Sequence, residues 1–210
     1  MARRGRYVIV VGFWNPVRGD WPSLSPTAYN RTLGVVRLVA VNALVVALVI
    51  LAEPTPLGVT VGFLFAAAGE ALRLWAAGHL LKTRELVTSG PYRYTRNPLY
   101  LGRLLIFTGL CIMARLPYGA SWIVLACGYA IFFGYYLPRK ERVEPARLRE
   151  AHGESYARYF RSVPSLLPAR HPYPESTATG WSSERMLRNR EHWMLFVVIA
   201  LTLILLRKAY

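Results

Sequence analysis

Leu57 to Gly78 reads LGVTVGFLFAAAGEALRLWAAG, twenty-two residues in which Glu70 and Arg73 are the only charges. A helix crosses the hydrocarbon of a bilayer with about 20 apolar residues, so this run reads as a membrane span and decides the class of the protein. Working outward, further apolar runs cover Leu33 to Ala52, Leu99 to Ala114, Tyr118 to Leu137 and Trp193 to Leu206. The runs at 33–52 and 118–137 span outright, and 99–114 spans if flanking Arg and Tyr side chains snorkel or its helix continues into the headgroups. The run at 193–206 is shorter and reads either as a span or as a re-entrant or interfacial segment. With 54% of 210 residues hydrophobic, a water-soluble globule would expose far too much apolar surface. The expected fold class is all-α: a polytopic transmembrane helical bundle with four core spans and a short fifth at the C-terminal end.

The formal net charge is +15, and its distribution argues for a membrane surface rather than nucleic acid. Five Lys and Arg lie in the N-terminal arm, four in the 79–98 loop and eleven in 138–192, against none in the 53–56 turn and Arg115 alone in the 115–117 turn. By the positive-inside rule the N-terminus and both long loops face the cytoplasm, where anionic headgroups attract them. No basic, aromatic-interleaved strand pattern suggests a nucleic-acid groove. Both cysteines, Cys111 and Cys127, fall inside predicted spans, so no disulfide framework is implied. His79, His152, His171 and His192 show no ligand spacing, and no metal site is expected.

Four regions follow. Residues 1–32, with Trp14 and Trp21 as anchors, form an interfacial arm with no cleavable signal peptide. Residues 33–140 form the transmembrane core, which carries the polar loop 79–98. Residues 141–182 hold a cytosolic amphipathic helix broken near Gly153, then a Pro-rich linker. Residues 183–210 give a basic helix and the last apolar run.

The unequal connections place the chemistry on one face, since 53–56 and 115–117 are tight turns. The loop from Leu86 through Val87, Gly90, Pro91, Tyr92, Arg93, Asn97 and Pro98 to Tyr100 turns twice, leaving amides free for a polar ligand, and presents flat Tyr faces. In the second run, Glu70 and Arg73 read most simply as an intrahelical pair. Intramembrane charges usually face a polar cavity, which makes them second candidates for substrate contact. Arg37 and Arg103 lie near span ends and are expected to snorkel.

The pattern Leu-Val-Thr-x-Gly-Pro-Tyr-x-x-x-Arg-Asn/His-Pro-x-Tyr-x-Gly, met by Leu86, Val87, Thr88, Gly90, Pro91, Tyr92, Arg96, Asn97, Pro98, Tyr100 and Gly102, resembles the membrane methyltransferases that include isoprenylcysteine carboxyl methyltransferase and phospholipid N-methyltransferases. Glu144, Leu148, Gly153, Tyr156, Tyr159, Val163, Pro164 and Pro168 follow a second stretch of that pattern. The resemblance covers roughly residues 57–168. It departs at Pro145, where the family has a second Glu, at His152 in place of Phe, and at Arg84 in place of a His. These changes bear on the acceptor more than on the cofactor.

The resemblance implies S-adenosylmethionine held between the 86–100 loop and Glu144, and a lipid or lipidated acceptor arriving from the bilayer. Glu144 would accept from the cofactor's ammonium or diol, and Arg93 or Arg96 would pair with its carboxylate. Tyr faces would attract the sulfonium. A carboxylate acceptor needs an Arg to place it, Arg96 or Arg142, whereas an amine needs a base, Glu144 or His152. A membrane reductase of the sterol reductase type and an inactive scaffold are the other readings.

Overall fold

The computed structural model describes residues 31–80, 86–176 and 179–210, with the side chains of 31–38, 40–41 and 143–152 also outside the described set. The N-terminal arm with Trp14 and Trp21, Arg37, Arg84 and the side chains of Glu144 and His152 thus lie outside the described residues. Among the described residues every regular element is helical: α1 (Arg31–Leu51), α2 (Pro56–His79), α3 (Pro98–Ala114), α4 (Ala120–Ile131), α5 (Leu137–Ser162), α6 (Ser183–Arg188) and α7 (Glu191–Ala209).

Helix α2 starts where Thr55, in an extended conformation, accepts the Gly58 amide on its hydroxyl at 3.2 Å and Pro56 supplies a preset φ. It rises about 36 Å, enough to cross a bilayer. Three helices have the length and apolar composition of a span: Pro56–His79, Pro117–Arg142 and Glu191–Ala209. Helix α3 is shorter, with 17 residues, and the described part of α1 adds the apolar stretch Asn42–Leu51. The last apolar run is longer than its sequence limits suggested, because the helix begins at Glu191. Leu57, Leu64, Trp122, Ile131, Phe196 and Leu203 stand exposed on the outer faces of these helices, an arrangement suited to lipid contact. This is an integral membrane protein.

Pro138 does not end the fourth run. Its missing N–H and its ring would break an ordinary turn, but the backbone widens into a π turn over Phe132–Tyr136, where the Leu137 amide reaches the Phe132 carbonyl, and continues as α5. The direction changes instead at Gly153, at φ +53.

The α2–α3 contact is built on small residues. A Cβ on Gly62 would fall 2.4 Å from the Gly109 carbonyl oxygen, and one on Gly69 would fall 2.5 Å from that of Gly102. Such close backbone approach is how helices associate in lipid, where burial of apolar surface gives no net drive. Val59, Ala66, Ile106, Met113, Val198 and Leu205 fill the core between α2, α3 and α7. Lys208 of α7 donates to the Val49 and Ile50 carbonyls of α1, both at 3.0 Å, satisfying groups that the helix end leaves open. The tight turns after α1 and α3 therefore share one end of the bundle with the end of α7, and the long polar loop lies at the other.

We predict that Gly62→Val destabilises the protein by about 1–3 kcal/mol, since it forces two backbones apart. Thermal unfolding in detergent reads this, and an unchanged midpoint would refute the packing account.

Candidate functional site

The loop between α2 and α3 is held by the chain that follows α5. Ser89 is extended, Gly90 takes φ +58, and Gly90–Arg93 make a single 3₁₀ turn. Glycine is required at 90 for its φ and because a Cβ there would lie 2.3 Å from the His79 ring. The Tyr159 hydroxyl donates to the Tyr92 carbonyl at 2.8 Å, the Tyr173 amide to Arg93 at 2.9 Å and the Ala169 amide to Tyr94 at 2.8 Å. In return the Arg96 amide donates to Pro164 at 3.0 Å and the Thr95 hydroxyl to Leu166 at 2.9 Å. From Tyr92 to Asn97 the backbone thus finds partners in the chain that follows α5 and in its own short turns, as buried backbone requires. Tyr156, Tyr159, Val163 and Tyr173 pack beneath, with Leu86 against them. Burial, with Glu175 beside it, raises the Tyr173 phenol above its ordinary pKa, so it stays a neutral donor to Glu175.

At the loop's end stands a polar knot around Glu141, a residue the sequence reading passed over. Arg96 reaches one Glu141 oxygen at 2.8 Å; the other accepts from Asn97 Nδ2 at 3.0 Å and Ser165 Oγ at 2.8 Å. Asn97 Nδ2 also donates to the Ser165 carbonyl at 2.9 Å, its Oδ1 accepts from Lys140, and its backbone carbonyl takes the Tyr100 and Leu101 amides that open α3. The Arg96 guanidinium lies 3.7 Å over the Phe160 ring. Tyr100 meets Phe132 and Tyr136 at 6.2 and 5.7 Å between centroids, with Lys140 at 4.1 Å and Arg103 at 5.2 Å from its ring. Arg93, Arg96, Asn97 and Tyr100 thus gather at the start of α3, while Pro91, Tyr92 and Pro98 are buried as the loop's support. Leu86, Val87 and Gly90 lie half-buried at its start, and Arg142 is exposed on α5. Glu144 is one helical turn beyond Glu141.

The sequence offered a signal for Glu141, a carboxylate set between Lys140 and Arg142 at the mouth of a span. Ser165 and Phe160 carried no signal, because only the fold returns them to the loop.

Two further clusters support this end. Arg73 donates to the Leu99 carbonyl at 3.2 Å, pairs with Glu191 of α7 and stands 3.7 Å from Glu70, all three being buried. Glu191 also suits the first turn of α7, where the helix dipole favours an anion. His79 Nδ1 lies 2.9 Å from the Thr179 carbonyl and 3.1 Å from Ser89 Oγ. A carbonyl only accepts, so this nitrogen carries the proton. Trp181, Arg185 and Asn189 donate to the last carbonyls of α2, at Leu74, Gly78 and Ala77.

The chemistry of S-adenosylmethionine, an α-carboxylate beside an ammonium and a sulfonium, can be tested against these donors. Arg93 Nε and Arg96 Nε are buried without a hydrogen-bond partner. Two guanidinium edges with unspent donors, among Tyr rings and next to the knot, fit the carboxylate end of that group. Among the described residues no group of three or more His, Cys, Asp or Glu is placed to hold a metal ion.

With the motif loop and the helix after the fourth run joined in one site, the family comparison falls where the geometry does. The family model that matches, over residues 57–145, is that of the phospholipid methyltransferases. This bears out the resemblance read from 86–102. The match takes in α2, the loop, α3, α4 and Glu141, while Phe160, Ser165 and Glu191 lie beyond it. The chain is also 37% identical over 128 residues to the cobalt-zinc-cadmium resistance protein CzcN of Cupriavidus metallidurans, covering 60% of this chain and 56% of that one. It is 33% identical over 111 residues to the nickel-cobalt-cadmium resistance protein NccN of Alcaligenes xylosoxydans xylosoxydans, covering 52% and 49%. The chain thus spans about half the length of these curated relatives. No solved structure matches it.

Two measurements follow. Glu141→Gln removes the anion under Arg96, and we expect a loss of about 1–3 kcal/mol in stability; a wild-type melting curve would show the knot to be idle. Arg73→Met should cost about 3–5 kcal/mol by stranding Glu70 and Glu191. Adding Glu191→Gln to it should recover part of that loss, and strict additivity of the two changes would deny the pair.

Proposed function

We propose that this protein is an S-adenosylmethionine-dependent methyltransferase acting on a lipophilic acceptor, a prenylcysteine carboxylate or a phospholipid amine, that enters laterally from the bilayer. The carrying observation is the Arg96–Glu141–Asn97 knot, which joins the family motif to α5 beside the unspent Nε donors of Arg93 and Arg96. The basic loops, by the positive-inside rule, support a cytoplasmic face for this end and for the N-terminus. Four spans and a fifth formed by α7 make the bundle.

When bound, S-adenosylmethionine supplies an electrophilic methyl on a sulfonium. Arg93 and Arg96 would hold the carboxylate end through their free Nε donors, and Glu144 would accept from the ammonium or ribose diol. The half-buried Tyr94 would offer a ring face to the positive sulfur, an attraction of about 0.5–2 kcal/mol. Displacement at methyl needs donor and acceptor in line, and in well-oriented cases positioning supplies roughly 7–11 kcal/mol. The knot serves that end by fixing Arg96 from three sides. For a carboxylate acceptor Arg142 is the placing cation; for an amine, Glu144 takes the proton. The relatives' names make growth under cobalt, zinc or cadmium the physiological setting in which to seek the acceptor.

The test is calorimetric titration of the detergent-purified protein with S-adenosylhomocysteine, which binds without being consumed. Saturable one-site binding is expected, and Arg96→Ala and Glu144→Ala should each lower turnover about tenfold or more with the spans intact. Absence of binding in a folded sample, or normal turnover in both variants, would overturn the assignment. Nicotinamide binding would point to a reductase.

A further inference from the structure

The end of the bundle away from the motif loop carries a recess that methyl transfer does not use. A cavity of about 370 Å³ opens between the turn after α1 and the turn after α3, within the range of small-ligand sites. The buried Cys111 and half-buried Ile112 give it an apolar lining, whereas Glu53, Arg115, Tyr118 and Trp122 line it from exposed positions. The Glu53 amide donates to the Ala114 carbonyl at 3.0 Å, which locks the two turns side by side.

Three features make this more than a crevice. Glu53 and Arg115 carry opposite charges into one cavity, yet neither pairs with the other or with any other described side chain. Arg115 and Tyr118 both hold left-handed backbone, at φ 41 and φ 55, a conformation costly for residues with a Cβ and concentrated at ligand sites. Tyr118 and Trp122 stand exposed at the ends of apolar helices, the depth at which aromatic side chains meet headgroups.

We propose that this recess binds the zwitterionic headgroup of a phospholipid. Arg115 takes the phosphate in a charge-assisted contact and Glu53 the ammonium, while the acyl chains lie along the exposed apolar faces that begin at Leu57 and Ile123. Two separated, unpaired charges of opposite sign complement a zwitterion and discriminate against a headgroup carrying only negative charge. The proposal is independent of the methyltransferase reading, because no residue of the motif loop takes part.

Native mass spectrometry of the delipidated protein tests it, with dioleoyl-phosphatidylethanolamine, phosphatidylglycerol, diacylglycerol and soluble O-phosphoethanolamine as separate titrants. In an Arg96→Ala background, which weakens the motif-loop site, one phosphatidylethanolamine should still bind in preference to the other three. Arg115→Gln should weaken that binding about fivefold or more, and Arg115→Lys should restore part of it. Glu53→Gln, at an exposed position, should erase the preference for phosphatidylethanolamine over phosphatidylglycerol while leaving the melting curve unchanged. Equal binding of phosphatidylglycerol or diacylglycerol by the wild type would overturn the proposal, as would tight binding of O-phosphoethanolamine, which would mark a soluble-phosphate site. Retention of the full preference by Glu53→Gln would overturn it as well.

Discussion

The distance between α2 and α3 governs the rest of the molecule. Gly62 and Gly69 face Gly109 and Gly102, and with no side chains between them the two backbones touch. That contact fixes His79 and Pro98, the two ends from which the motif loop must depart and return. It also lays the Arg73 side chain against Gly102, so that its guanidinium meets the Leu99 carbonyl in the first turn of α3. In lipid there is no water to fill a gap between helices. A wider crossing would leave the charge of Arg73 without the groups that now surround it.

On this frame the site is assembled by chain that arrives late. Segment 159–173 folds back over the loop and supplies hydrogen bonds that no local turn could, and Glu141 binds Arg96, Asn97 and Ser165 to one carboxylate. Three donors on its two oxygens hold the carboxylate in place, while Arg96 keeps one unspent donor, Nε. Order in the loop thus comes in large part from α5 and its sequel, and Arg93 and Arg96 keep Nε donors without a partner.

The apolar runs made the helices legible because composition and length alone mark a span, and Leu57 to Gly78 needed no tertiary information. Family-motif residues gathered in one place because local turn chemistry at Gly90 and Asn97 dictates much of that loop. Other features were opaque for definite reasons. Pro138 is a helix breaker by chemistry, and only a wider turn upstream allowed the helix to pass through it. Glu141 looked like one charge among many, since its value lies in partners twenty-four and forty-four residues away. Glu191 sits in a polar stretch and gave no hint that its partner lies within α2.

The pairing of Arg73 with Glu191 has a consequence for how the protein is made. Synthesis runs from the N-terminal end, and 118 residues separate the two. While α2 enters the membrane, Arg73 has only Glu70, three positions earlier on its own helix, to offset its charge. The second carboxylate emerges only with α7, just after the groups of residues 181–189 that cover the open carbonyls at the end of α2. Until then the half-built bundle holds an under-matched cation at membrane depth, and only the arrival of α7 completes its neutralisation.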